Sequence, residues 1–201
     1  MCIRDSQFMA GLASDSAAAA SGNLGGTVTN SDASHQSTLA INGNTTSFGG
    51  VIAGNIFLNK TGTGALNLQA QQTFTGESYF NGGSVILSDY GALPNTSSAI
   101  TLNYTTLTLT NSSLYQVNSR VNDTAPITLV GGIISVTGRP QAVVTETMGA
   151  VTLNGGHNQI TTTIGGTNVN SLDVTFASLA RTNSAAFAAA SASQTASSGI
   201  S

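Results

Sequence analysis

Charge is what this chain has least of. Its 201 residues hold five Lys and Arg, eight Asp and Glu and two His, so only 6% of side chains are charged. A net charge of −3 and an isoelectric point near 5.0 leave no basic face to displace counterions, which excludes nucleic acid as a partner. The same deficit excludes electrostatic attachment to an anionic membrane surface. Tryptophan is absent, and aromatic residues make up 5% of the chain. Cys2 is the only cysteine, so no internal disulfide can form and the redox compartment cannot be read from disulfides. No segment approaches the ~20 apolar residues of a membrane helix. The segment Gln7 to Ala20, where a leader would be sought, lacks an apolar run of ~7–15 residues and carries Asp15 in its middle.

Helix signals are nearly missing as well between Thr38 and Arg181. What fills the chain is Ser, Thr, Asn, Ala and 23 glycines, so its surface is solvated by hydroxyls and amides. Within that background apolar pairs recur with one residue between them. They are Leu39-x-Ile41, Leu66-x-Leu68, Val85-x-Leu87, Ile100-x-Leu102, Leu107-x-Leu109, Ile127-x-Leu129, Ile134-x-Val136, Val151-x-Leu153 and Leu172-x-Val174. Period-two alternation places each pair on one face of a short strand, with Thr, Ser and Asn on the other.

The distances between pairs choose among all-β architectures. Ile100 to Ile127 and Leu107 to Ile134 are both steps of 27, Ile127 to Val151 is 24, Val151 to Leu172 is 21 and Leu66 to Val85 is 19. Unequal steps of this kind suit stacked coils whose loops vary while their strands keep register. A sandwich would show turn signals every ~8–12 residues. Asn42-Gly43 and Asn81-Gly82 leave hairpins open, but the spacing favours a parallel β-solenoid over 38–183.

Outside that region, residues 7–37 read as a Ser/Ala/Gly-rich linker or a loop-rich entry to the first coil. Residues 184–201 form an Ala/Ser-rich tail in which a helix and a truncated coil are both open. The first six residues, MCIRDS, resemble a translated sequencing-adapter remnant and are set apart from fold reasoning, which leaves the true N-terminus unread.

The densest pattern lies in residues 48–87. It runs Phe48-x-Gly50-x-Ile52, Leu58-x-Lys60-x-Gly62-x-Gly64-x-Leu66-x-Leu68, Thr73-Phe74-Thr75-Gly76 and Gly83-x-Val85-x-Leu87. This segment resembles the autotransporter-associated β-strand repeat of long bacterial surface and secreted proteins. Gly91 to Asn103 resembles the connection that follows that repeat, and the stretches from Met148 and Leu172 look like later coils. Glu77-Ser78-Tyr79-Phe80 and Ile56 depart from the pattern and put the local turn in doubt. The resemblance implies a right-handed single-stranded parallel β-helix, incomplete at both ends, within an exported passenger or stalk. It further implies an extracellular or cell-surface location at a Gram-negative-type outer membrane. The expected partner is an unidentified surface ligand, such as a carbohydrate or a host or neighbouring cell surface. In this reading Gly62 and Gly64 supply turn dihedrals closed to other residues, Leu66 and Leu68 point inward, and Lys60 lies on the outside of the turn.

Candidate chemistry is thin. Thr61-Gly62-Thr63-Gly64 is no phosphate cradle, because no helix pattern follows to supply amides. Asp32, Ser34 and His35 lie too close in sequence to read as a triad, whose members meet through the fold. His35 and His157 read as solvated loop residues, with no second ligand spaced for a metal. Polysaccharide lyases and hydrolases on β-helices need clustered carboxylates, whereas Asp89, Asp123, Glu146 and Asp173 stand singly. Arg120 and Asp123 suggest an exposed ion pair. Tyr79, Phe80, Tyr90, Tyr104 and Tyr115 are candidates for a carbohydrate-stacking surface, with core or edge packing the plainer reading. The expectation is therefore a non-enzymatic, adhesin-like segment with no catalytic residues, no metal and no cofactor. A polysaccharide-active lyase or hydrolase on the same scaffold is the alternative.

Overall fold

The computed structural model describes residues 2–3, 5–14, 25–94, 96, 98–112, 115–166, 171–192 and 198–200. Among them every regular element is a β-strand, and every strand pairing is parallel. The strands form a nine-stranded sheet from Ser6–Met9 to Ser198–Ile200, a seven-stranded sheet from Thr46–Phe48 to Ala186–Ala192, and a short four-stranded sheet. The short sheet holds Cys2–Ile3, Thr27–Asn30, Val51–Gly54 and Thr73–Phe74.

Successive strands visit the sheets in turn. Val51–Gly54 lies in the short sheet, Ile56–Thr61 in the nine-stranded sheet and Ala65–Leu68 in the seven-stranded sheet. Thr73–Phe74, Ser78–Asn81 and Ser84–Leu87 then repeat the order, each pairing with its counterpart one pass earlier. Parallel pairing demands such a crossover, because a strand cannot return alongside its neighbour in the same sense through a tight hairpin.

Alternation in the sequence becomes columns in the core. Leu39, Leu58, Ser78, Ile100, Ile127 and Val151 share one register line, and Ile41, Lys60, Phe80, Leu102, Leu129 and Leu153 share the next. In the seven-stranded sheet the lines are Leu66, Val85, Leu107, Ile134 and Ile160, then Leu68, Leu87, Leu109, Val136 and Thr162. All are buried. Each large apolar member contributes roughly 1.5–3 kcal/mol by leaving water. A one-residue slip would turn a whole line outward, so register is strongly specified.

The step from Val151 to Leu172 is not a coil step. Val151 aligns with Leu179, while Leu172 and Val174 align with Val144 and Glu146. The cause is strand length: Val143–Asn154 and Ser171–Thr182 each run 12 residues, continuing where earlier passes turn. The Ala/Ser-rich tail forms a strand over Ala186–Ala192, paired with His157–Thr163, in place of a helix. Its residues 193–197 and 201 lie outside the described set, as do Asp15 to Leu24 of the N-terminal segment and positions 95 and 97 of the repeat-like connection. Strands also occur before the expected first coil: Ser6–Met9 pairs with Ser37–Asn42, and Cys2–Ile3 with Thr27–Asn30.

One corner between the two large sheets recurs from the pass of Ser37–Asn42 onward and is built on left-handed backbone. Gly43, Gly62, Gly82, Gly83, Gly131, Gly155 and Gly156 have positive φ there, and Tyr104, at φ 47, does the same without being glycine. Gly64 has an ordinary φ, so its expected role changes: a Cβ there would overlap the Gly43 carbonyl, and close approach is what excludes a side chain. Polar side chains line the inside of this corner. Lys60 is 2% exposed, and its Nζ donates to Gly62 O at 2.9 Å and Gly82 O at 2.8 Å. This corrects the expectation of an outward lysine. The burial pattern of Ile56–Thr61 puts Ile56, Leu58 and Lys60 on the same inward face, and the turn carbonyls give the ammonium its partners. Desolvation lowers the Lys60 pKa from its ordinary value. Asn158 fills the same corner later, accepting from Gly132 N and donating to Gly155 O and Ala186 O.

Candidate functional site

The outward face of the short sheet carries small side chains: Thr27, Val51, Ala53 and Thr73. Such residues leave a shallow floor. Two irregular stretches rise beside it, one carrying Tyr90 and Leu93 and the other Val117 to Asn122. Together they enclose a groove of about 790 Å³. Because its floor spans several passes, the groove lies across the strands and not along one.

A buried arginine shapes both walls. Arg120 is fully buried, and its guanidinium forks to three acceptors: Gly91 O, Asp89 O at 3.0 Å and Asn111 Oδ1 at 2.9 Å. Its own carbonyl accepts from Leu93 N at 2.8 Å. Asn111 Oδ1 also accepts from Val117 N at 2.8 Å, which joins the second wall to the same node. Beneath, Glu146 offers one oxygen to Arg120 N and the other to Val121 N, both at 2.9 Å. The carboxylate takes the place of a neighbouring strand, since a buried amide must find an acceptor. Burial pushes the Glu146 carboxyl up to about 7, against the pull of those amides and of the Arg120 charge. Burial also brings Arg120 down to about 10, so it stays charged at neutral pH. Gln72 uses the same device three passes earlier, accepting from Ile52 N at 2.8 Å and donating to Ala70 O at 2.6 Å.

Tyr90 stands at the rim, 37% exposed, with the ring of Tyr115 stacked on it at a centroid distance of 4.0 Å and 27° between planes. Two non-glycine residues with left-handed backbone border the groove: Asp89 at φ 52, beside Tyr90, and Ser119 at φ 58. Conformations of this kind cost of order 1 kcal/mol and persist where surrounding bonds over-determine them. Here the fork of Arg120 and the strut from Gln69 Nε2 to Asp89 Oδ2, at 3.1 Å, supply that constraint.

No protein-family model, curated protein or solved structure matches this chain.

The residues singled out in the sequence are distributed as follows. Tyr90 and Tyr115 meet; Phe80 lies in the core; Tyr79 is half-buried on the nine-stranded sheet; Tyr104 is 68% exposed at the glycine-rich corner. The stacking surface is thus two rings and not five. The expected exposed Arg120–Asp123 pair is corrected: Arg120 faces the core and bonds to carbonyls, while Asp123 is exposed. Asp89 and Glu146 are buried, Asp173 is exposed, and both oxygens of Glu146 are taken by amides. His157 is exposed at the start of a strand.

Asp32, Ser34 and His35 do touch. Ser34 Oγ donates to Asp32 Oδ1 at 2.5 Å, and His35 Nδ1 lies 2.8 Å from Asp32 Oδ2 and 3.0 Å from Ser34 Oγ. A catalytic triad uses one ring nitrogen for the acid and the other for the serine. In this turn a single nitrogen meets both, and the side chains of His35 and Asp32 are 83% and 47% exposed. The cluster is an Asx-type turn whose bonds from Ser34 and then His35 hold the Asp32 carboxyl well below its ordinary range. Among the described residues no group of three His, Cys, Asp or Glu is placed to hold a metal. No helix among them is long and apolar enough to cross a membrane.

The sequence reading named Arg120 and Glu146 but placed them apart, one in an exposed ion pair and the other as a lone carboxylate, and missed that they meet beneath the groove. Their separation of 26 residues matches one pass of the chain, a signal that was available.

Proposed function

We propose that this chain is a segment of an exported bacterial surface protein of the autotransporter-associated β-strand repeat kind. Its passes form a right-handed, single-stranded parallel β-helix that serves as a stiff, non-enzymatic stalk with adhesin-like flanks, outside the cell. The observation that supports this reading is the continuity of register. Inward columns run through six successive strands of the nine-stranded sheet with no change of phase. Each pass leans only on its neighbours, so stiffness accumulates along the stack and any length can be built by repetition. The motif residues of 48–87 supply a second support, since Gly62 and Gly83 sit at left-handed corner positions that repeat from pass to pass.

The test uses the complete reading frame expressed in a Gram-negative host, with an epitope inserted in the exposed turn Ser31 to His35. Antibody labelling of intact cells is the expected result. Labelling confined to permeabilised cells would overturn the export assignment. The release of new reducing ends from polysaccharide by the purified chain would overturn the non-enzymatic one.

A further inference from the structure

We infer that the groove beside Tyr90 is a binding site for a short, neutral stretch of polysaccharide. This deepens the stalk reading by giving the stalk a surface that holds a target.

The chemistry of the lining carries the inference. Among the described residues not one charged side chain lines the groove, so an anionic or cationic ligand finds no counter-charge in that lining. What it offers is an aromatic ring at the rim, small aliphatic groups on the floor, and the amide and hydroxyl side chains of Gln71, Asn118, Ser119 and Asn122. Sugar rings match that combination, with apolar C–H faces for an aromatic plane and hydroxyls for planar amides. A volume of about 790 Å³ lies inside the range of roughly 300–1,000 Å³ typical of ligand sites.

Orientation separates a sugar chain from a peptide. An extended peptide binds a sheet by adding to an open edge through its backbone. This groove crosses the face of paired strands, whose amides and carbonyls are already engaged in the ladder.

The site is also held in shape before any ligand arrives. Tyr115 backs the Tyr90 ring, Arg120 ties both walls together, Thr124 N donates to Asn122 Oδ1 at 2.8 Å, and Thr145 N donates to Asn118 Oδ1 at 3.3 Å. Pre-organised polar groups reduce the ordering cost of binding. Of the two carboxylates next to lining residues in sequence, Asp89 is buried and bonded to Gln69 and Asp123 is exposed outside the described lining, so that lining offers no pair of carboxylates for cleavage.

The experiment is native affinity electrophoresis of the whole chain through gels containing laminarin, xyloglucan, galactomannan or dextran. Polygalacturonate serves as the charged comparison. Retardation by at least one neutral polymer is expected, and Tyr90→Ala should weaken it about tenfold, the loss of roughly one stacking contact. Thr73→Arg places bulk and charge on the exposed floor without touching the core, and should abolish retardation. Tyr104→Ala, at the far corner, should bind as the parent does. Three results would each overturn the inference: no retardation by any neutral polymer, undiminished binding by both Tyr90→Ala and Thr73→Arg, or preference for polygalacturonate. None of them bears on labelling of intact cells, so the stalk reading stands or falls separately.

Discussion

Replacing Arg120 by methionine tests whether one buried cation holds two irregular stretches of this chain in place. The side chain is fully buried and donates to Gly91 O, Asp89 O and Asn111 Oδ1. Methionine keeps much of the volume but leaves those acceptors without their donor, and Glu146 without the nearest opposite charge. Removing one partner from a buried charged network costs about 3–5 kcal/mol, against about 5–15 for a whole domain. For a chain of this length that is a fall in Tm on the order of 10 °C. The assay is urea unfolding followed by far-ultraviolet dichroism, with hydrogen exchange to locate the change. Protection should vanish first at Leu93 N, Val117 N, Arg120 N and Val121 N, the amides whose bonds converge on this node. Arg120→Lys should recover only part of the loss, because an ammonium cannot reproduce the planar fork. A variant within 1 kcal/mol of the parent, with unchanged protection at these four amides, would refute the reasoning.

Glu146 makes stability depend on pH. Its carboxyl titrates at about 7 when folded, against 4.5 ordinarily, so its contribution is complete below 4.5 and is lost as pH rises through 7. Urea midpoints should fall over that window by an amount equivalent to at most about 3 kcal/mol, and Glu146→Gln should remove this component of the pH dependence. Lys60→Met should cost about 2–4 kcal/mol in the same assay, since the carbonyls of Gly62 and Gly82 lose their donor inside the corner. An unchanged midpoint would mean that water replaces the ammonium. Gly131→Ala should cost about 1–3 kcal/mol, because φ is +61 and the new Cβ would lie 2.7 Å from the Tyr104 ring. Tyr104→Gly in the same chain should recover part of that loss; no recovery would separate the two residues.

How far these features were legible depends on the range of the interactions behind them. Leu39-x-Ile41 or Leu107-x-Leu109 could be read directly, because alternation is a property of one strand and its two faces. Lys60 could have been read too: Ile56-x-Leu58-x-Lys60 continues the alternation, and only the habit of placing lysine outside hides it. The Val151-to-Leu172 step was misread because a strand of 12 residues holds two apolar pairs in different halves, and spacing alone does not say which half stacks on which. Arg120 and Glu146 each look like an ordinary surface charge when taken singly.

By itself the sequence pointed to an all-β chain, favoured parallel strands over hairpins, and showed where most inward columns lie. Those follow from local alternation and from recurrence, and both are written in one dimension. Tertiary structure alone decided that Arg120 and Glu146 face inward and meet, and it supplied the turn carbonyls that hold the inward Lys60. It decided too that Tyr90 and Tyr115, 25 residues apart, make a stacked pair beside a groove whose described lining carries no charge. The physical reason is that a buried charge persists only where the backbone of a neighbouring pass presents carbonyls or amides to it. Such partners exist only once the passes are stacked in register.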